Sequence, residues 1–147
     1  MNAIRILLKD HEEIGKLLHQ FVDAGEEAYQ QKQAIAEKVI EEITNHARLE
    51  DEILFPALKE KGGEEGEEMA LEAVEEHELT RFLLNRLKKT NAQDKKFDAR
   101  VKILMENVHM HFLEEERETF PQAKKALKGE LEKMGKEMEA LKKQMKQ

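Results

Sequence analysis

Apolar residues recur along this chain every three to four positions, which is the period of a helix with one buried face. The pattern predicts four helices, spanning about residues 2–22, 33–61, 63–89 and a stretch from Phe97 onward. The predicted breaks contain glycine or polar runs: Gly25 with residues 30–33, Gly62-Gly63, and residues 90–94. No segment shows the period of two that a strand would have. We therefore predict an all-α fold.

The second and fourth helices carry the same motif, HxxxE followed by Phe-Pro. It occurs as His46 and Glu50, and it returns 65 residues later as His111 and Glu115. Side chains four residues apart lie on one face of a helix, about 5–6 Å from Cβ to Cβ. An imidazole and a carboxylate at this spacing can bind the same metal centre. The chain thus consists of two similar helix pairs. Each pair is too short to bury its own apolar faces, so the two pairs must pack together.

The first and third helices each add one histidine to this pattern. His11 lies in the sequence Asp-His-Glu and His77 in Glu-His-Glu, and both stand on an apolar stripe. In an up-down-up-down bundle, residues equally far in sequence from a connecting loop lie at the same level. Measured from the three predicted loops, His11, His46, His77 and His111 fall in one inward-facing layer, together with the two glutamates.

Four imidazoles and two carboxylates in one apolar layer indicate a metal centre. Buried without partners, these groups would cost several kcal/mol in desolvation, which disfavours a purely structural role. Imidazole and carboxylate donors suit iron, manganese or zinc. Glu50 and Glu115 are placed to bridge two ions. Six protein donors cannot fill two octahedral ions, so positions remain for oxo, hydroxo, water or a small ligand.

In this combination of motifs, residues 3–121 resemble the hemerythrin-like, or HHE cation-binding, domain family. The resemblance implies an up-down-up-down four-helix bundle with two non-haem iron ions, oxo- or hydroxo-bridged, in preference to manganese or zinc. It implies four terminal histidines and two bridging glutamates: His11, His46, His77, His111, Glu50 and Glu115. We expect residues 1–121 to form the bundle and residues 122–147 to form an additional basic, amphipathic helix.

Two features separate the chain from the oxygen-carrying hemerythrins, which have HxxxH on the third helix and HxxxxD on the last. Here Ala73 and Arg81 stand four residues from His77, and the last helix has HxxxE, with Glu116 at the five-apart position. The resemblance implies a protein that binds or senses dioxygen or nitric oxide. The alternatives are an iron-handling or redox stress protein that consumes peroxide or dioxygen, or stores and donates iron, and a scaffold with a vestigial or zinc-filled site. Whether the protein is an enzyme stays open.

Two further histidines do not fit the layer. His109 is rotated about 200° from His111 on the same helix, so we expect it to face solvent. His19 lies about 12 Å along the first helix from His11, too far to reach the same ions. We expect it at the surface or behind a ligand. The rival motif HExxH is absent, and the ferritin-like ExxH occurs only once, at Glu106 to His109.

Composition narrows the function classes further. The 147 residues fit one domain, and although 39% are charged, their helical periodicity argues against disorder. The chain has no cysteine, so disulfides, cysteine-ligated zinc and thiol redox chemistry are excluded. No apolar run approaches the ~20 residues of a membrane span. We expect a soluble, cytoplasmic protein without a membrane partner.

The C-terminal segment differs in charge from the rest of the chain. Residues 122–147 contain eight lysines and four glutamates, a net charge of +4 that leaves −11 for residues 1–121. An acidic body argues against nucleic acid as a partner. The segment also has an apolar seam at 4-3-4-3-4 spacing: Leu127, Leu131, Met134, Met138, Leu141 and Met145. We expect this seam either to fold back on its own bundle or to serve as a homodimer contact or docking helix.

Overall fold

The computed structural model describes residues 1–146, which form five rods. The rods are α1 (Ala3–Asp23); α2 (Tyr29–Leu49) continued by π1 (Glu50–Leu54) and α3 (Phe55–Lys61); α4 (Gly63–Lys88); α5 (Phe97–Glu114) continued by π2 (Glu115–Thr119) and α6 (Phe120–Ala126); and α7 (Leu131–Met145). Over this range no strand is present. The first four rods make the predicted four-helix bundle, and α7 is the additional C-terminal helix, so the predicted fold class is confirmed.

The second rod begins at Tyr29, earlier than predicted. Residues 30–33, which we assigned to the first loop, lie inside α2, so this boundary was wrong. Glutamine and lysine are good helix formers, and a cross-bundle ion pair stabilises this turn. The buried Lys32 ammonium lies 2.7 Å from the carboxylate of Asp98 on α5 and 5.4 Å from the ring centre of Phe21. Tertiary contacts therefore extend the helix into a polar run.

The core consists of two apolar clusters. One includes Leu7, Leu54 and Leu58 and packs against α7, and the other includes Leu84 and Leu104. On each of the four bundle rods, the predicted ligand residues separate the residues of one cluster from those of the other. Each helix therefore carries apolar residues on both sides of its metal-binding candidates.

Two valines that continue the apolar period of their helices are nevertheless exposed. Val22 is 61% exposed and Val74 is 43% exposed. The buried line of α4 runs through Ala70, Ala73 and His77. Because successive residues of a helix are rotated by about 100°, Val74 is turned away from that line.

A π segment begins at the glutamate of each HxxxE motif. The Phe55 N–H donates to the Glu50 carbonyl, five residues back, and the equivalent bond joins Phe120 to Glu115. Each phenylalanine is followed by proline, which has no N–H and whose ring collides with the carbonyl four residues back in a regular α-helix. The widened turn removes that collision. π-Bulges are frequent at functional sites, and here both start at a predicted ligand.

The turn between the second and third rods depends on glycine. Gly63 has φ +68°, a conformation that glycine adopts readily. A Cβ on Gly62 would lie 2.5 Å from the Leu58 carbonyl oxygen, which leaves no room for a side chain. The predicted break at Gly62-Gly63 is therefore present.

Helix α7 packs against its own bundle. Met134 and Met138 of the apolar seam are buried against the cluster that contains Leu7. A Cβ on Gly135 would collide with the Met1 carbonyl, so this glycine allows α7 to approach the start of α1 closely. The structure thus shows the first of our two alternatives for the seam. A homodimer or docking contact through this C-terminal helix stays a prediction.

Candidate metal centre

All six predicted ligand residues lie in one layer of the bundle. Five are buried, and the His111 side chain is 10% exposed. Their potential ligand atoms form two overlapping sets, within each of which all atoms lie within 4.8 Å of one another. Both sets contain Glu50 and Glu115. The first set adds His11 and His46, and the second adds His77 and His111.

In the first set, two imidazole nitrogens face the shared carboxylates. The Nε2 atom of His11 lies 3.0 Å from Oε1 of Glu115. The Nε2 atom of His46 lies 3.4 Å from Oε2 of Glu50 and 3.7 Å from Oε1 of Glu115. Both rings therefore present Nε2 to the centre of the layer, as metal-binding imidazoles would.

The second set repeats this arrangement on the other two helices. The Nε2 atom of His77 lies 3.1 Å from Oε1 of Glu50, and that of His111 lies 3.5 Å from Oε2 of Glu115. The two Nε2 atoms are 3.3 Å apart. Each glutamate thus has an imidazole of either set beside it, which is the arrangement expected of bridging carboxylates.

Every one of the four histidines has a second carboxylate at Nδ1. The pairs join His11 to Glu116 at 2.9 Å, His46 to Asp10 at 2.9 Å, His77 to Asp51 at 2.8 Å, and His111 to Glu76 at 2.6 Å. When Nδ1–H donates to a carboxylate, the lone pair of Nε2 is free for a metal and the ring is fixed in orientation. We call these four residues the outer carboxylates.

Sequence reasoning missed the outer carboxylates. A signal was available, because each is the chain neighbour of a predicted ligand: Asp10-His11, Glu50-Asp51, Glu76-His77 and Glu115-Glu116. The positions also repeat between the two halves of the chain. Adjacent helical residues do not face each other, so each of these carboxylates reaches a histidine on another rod.

Arg81 explains part of the difference between the third helix and the HxxxH pattern of the oxygen-carrying hemerythrins. It occupies one of the two positions four residues from His77, and its guanidinium donates to Asp51, which holds His77 at Nδ1. Instead of supplying a ligand, this position supports an outer carboxylate. The other position, Ala73, is buried in the apolar cluster beside the layer.

Three buried atoms of the layer have no hydrogen-bond partner: Nε2 of His46, Oε2 of Glu50 and Oε2 of Glu115. Buried polar atoms are almost always paired, since leaving one unsatisfied costs about 1–3 kcal/mol. All three belong to the predicted ligands and point into the layer. A bound cation would satisfy all of them, so the residues present fit a metal site.

The protonation of the layer reflects its crowded charges. Burial raises the pKa of Glu50, but His46 and the other neighbouring hydrogen-bond partners outweigh it and hold that pKa well below the usual range. Burial and the Glu50 charge raise the pKa of Glu115. Burial lowers the pKa of His77 and His111, but the carboxylates around them raise both to about 9. Metal binding must therefore displace protons from the imidazoles.

Aromatic rings cover the layer. Phe112 stacks on His11 with the ring centres 3.7 Å apart and the planes within 9°. Phe120 lies behind the same imidazole at 5.5 Å, and Phe55 lies 5.4 Å from His77. These rings pack against the imidazoles and restrict their rotation.

His19 and His109 lie outside the layer, as predicted. The His19 side chain is 77% exposed and pairs with Asp23 at 3.3 Å. His109 is exposed and lines, with His11, His19 and Phe112, a surface groove of about 340 Å³ between α1 and α5.

The fold and the layer define a helical-bundle protein with a candidate dinuclear metal site. The sequence model of the hemerythrin HHE cation binding domain matches residues 2–123. The chain belongs to this family, which confirms the resemblance drawn from its motifs. Within residues 1–146, no helix combines the length and apolar character that crossing a bilayer requires.

One curated protein and one solved structure are similar to this chain. An uncharacterized hemerythrin-like protein of Schizosaccharomyces pombe is 32% identical over 89 residues, which are 60% of this chain and 44% of that protein. The chain thus spans less than half the length of this relative. The crystal structure of a hemerythrin HHE cation binding domain-containing protein from Mycobacterium kansasii superimposes with a TM-score of 0.84 at 24% identity. The match covers 99% of this chain and 87% of that one, and it shows the shared fold.

Proposed function

We propose that this protein holds two iron ions in its polar layer and binds or senses a small diatomic ligand, dioxygen or nitric oxide. The observation that carries the proposal is the pair of overlapping donor sets, which share Glu50 and Glu115 while each has two imidazoles of its own. A shared pair of carboxylates suits two neighbouring ions better than one. Imidazole and carboxylate donors suit iron, with manganese and zinc as the other candidates.

Six side chains would hold the ions: His11, His46, His77 and His111 as terminal donors, and Glu50 and Glu115 between them. When bound, a pair of iron ions supplies redox activity and coordination positions open to a small ligand. The chain itself supplies rigid imidazoles, because each Nδ1 is held by an outer carboxylate. It also supplies phenylalanine rings that pack against two of these imidazoles.

The surroundings of the layer favour binding over turnover. The rings that cover it are phenylalanines, which carry no proton to transfer. Each outer carboxylate already accepts a hydrogen bond from a histidine, so its position serves ligand orientation. A catalyst of peroxide consumption needs a group placed to move protons. Within residues 1–146, the four outer carboxylates are all engaged with histidines in this way.

A second candidate function, iron handling, is favoured by the acidic surroundings of His111. A small cavity of about 30 Å³ beside it is lined by Glu72, Glu76, Glu114 and Glu118. Burial and the Glu76 charge raise the pKa of Glu114, which reflects the crowding of negative charge there. Such a patch attracts cations and would help iron to load or leave.

Metal analysis combined with ligand titration separates these functions. We expect protein from iron-replete cells to contain about two irons per chain, as the shared carboxylates imply. The oxidised protein should bind azide, and the anaerobically reduced protein should bind nitric oxide, both without turnover. Steady consumption of peroxide would indicate that the protein is a redox enzyme and not a binding protein. Rapid, complete transfer of iron to a chelator would favour iron handling, and absence of iron would contradict both.

A further inference from the structure

Helix α7 reaches the metal layer through a chain of three side chains. The Lys142 ammonium donates to Oδ1 of Asp10. The other oxygen of this carboxylate, Oδ2, accepts the Nδ1–H of His46 at 2.9 Å. His46 in turn presents Nε2 to the layer, where that atom is buried without a partner. Side chains from α7, α1 and α2 are thus linked in series, ending at a predicted metal ligand.

The position of Lys142 is fixed by close packing of α7. Gly135 lies against the Met1 and Asn2 backbone, where a side chain would collide. One helical turn further, Met138 is fully buried. The N-terminal ammonium of Met1 also lies 3.4 Å from the Glu139 carboxylate. Lys142 follows on the same rigid helix, so its reach to Asp10 is a consequence of how α7 docks.

The two halves of the chain differ in the exposure of the carboxylate that holds the HxxxE histidine. Asp10 has Glu76 as its counterpart in the repeat, and each holds the HxxxE histidine of its own half. The Asp10 side chain is 4% exposed, whereas that of Glu76 is 37% exposed. Water can solvate Glu76, but a buried carboxylate requires a cation or hydrogen-bond donors from the protein. Lys142 supplies this cation to Asp10.

We propose that Lys142 is a positioning residue for the His11–His46 half of the metal centre, and that docking of α7 and metal binding at that half stabilise each other. With both oxygens engaged, the Asp10 carboxylate cannot rotate, and it holds the His46 ring with Nε2 toward the layer. The proposal rests on the proposed function only in requiring metal in the layer. It does not depend on which small ligand binds.

The expected loss of metal affinity can be estimated from the effect of other residues that hydrogen-bond to metal ligands. Replacing a direct outer partner of a histidine ligand typically lowers metal affinity 10–100-fold. Lys142 lies one contact further out, so we expect about a tenfold loss, at the low end of that range. Coupling between two sites is reciprocal, so metal must stabilise docked α7 by the same factor.

Titration of the full-length apoprotein with Co²⁺ against a competing chelator tests the positioning role. In Lys142→Met, we expect about a tenfold loss of affinity for one of two ions, with the other unchanged. The absorption bands of the weakened ion should shift, and Lys142→Arg should restore both affinity and spectrum. Lys143→Met is the matched control, because it removes the same charge from an exposed neighbour. Equal behaviour of Lys142→Met and Lys143→Met would overturn the proposal.

Hydrogen exchange of residues 131–145 tests the coupling. In the wild-type protein, metal loading should slow exchange in α7, and in Lys142→Met this protection should be largely lost. Identical protection in both proteins would overturn the coupling. If the wild-type protein binds no metal at all, the proposed function fails. If it binds two ions and the Lys142 variants match their control, only the present inference fails.

Discussion

Asp51 accepts the Nδ1–H of His77 at 2.8 Å, from a position directly after the shared ligand candidate Glu50. The same relationship joins Glu116 to His11 at 2.9 Å in the other half of the chain. In both cases a carboxylate from one half orients a histidine of the other half. The two halves therefore complete each other's candidate donor sets.

Removing the Asp51 contact should weaken metal binding at the His77–His111 half. We expect Asp51→Asn to lower the affinity for one ion about 10–100-fold, because an amide is a weaker acceptor and binds the ring less firmly. Chelator competition with elemental analysis measures this. Glu52→Gln is the matched control, since it removes the same charge from an exposed neighbour. Equal losses in both variants would mean that charge alone, and not ring orientation, sets the affinity.

Replacing a shared carboxylate should remove both ions. Because Glu50 and Glu115 occur in both donor sets, we expect Glu50→Ala or Glu115→Ala to lose most of the bound metal. His19→Ala and His109→Ala should keep close to two ions per chain. Elemental analysis after iron loading checks all four variants. Loss of only one ion in Glu50→Ala would show that this residue serves a single metal.

Metal loading should stabilise the fold. Without metal, three buried atoms of the layer have no partner. A ligand that binds only the folded state at 1,000 times its Kd adds about 4.1 kcal/mol. At this chain length, that corresponds to a rise in Tm on the order of 10 °C. Calorimetry of apo and loaded protein measures the difference, and identical melting temperatures would show that the layer is not coupled to folding.

Filling the groove between α1 and α5 should slow the arrival of small ligands. Gly15 lines this groove near His11, and a Cβ there would have no atom within 4 Å. We expect Gly15→Leu to slow azide binding several-fold in stopped-flow absorbance measurements. Gly15→Ala should leave the rate unchanged and stabilise the helix by about 1 kcal/mol. An unchanged rate in Gly15→Leu would indicate that small ligands enter instead through the groove of about 460 Å³ that His77 and Arg81 help to line.

Much of the fold and the layer could be predicted from periodicity. His11, His46, His77 and His111 stand on apolar stripes, and counting from the loops places them at one level. This works because a helix repeats its faces at a fixed interval, so local spacing determines direction. The same regularity predicted that His109 would face away from the layer.

The ends of the helices and the exact rotation of each helix about its axis were less predictable. The polar run 30–33 was placed in a loop, but the pairing of Lys32 with Asp98 holds it in α2. Val74 continues the apolar period of α4, but the bundle buries the line through Ala73 and His77. An apolar residue can lie at the edge of a stripe, and only the neighbouring helices decide whether it is covered.

The sequence by itself determined the helices, the inward layer and the six candidate ligands, because these follow from spacing within single helices. The tertiary structure alone decided the pairing of Asp10 with His46 and Lys142, since these contacts cross between rods. Asp10 and Lys142 are 132 residues apart. Their meeting depends on Gly135 letting α7 approach the Met1 backbone. Such contacts are set by how whole helices pack, which no local pattern encodes.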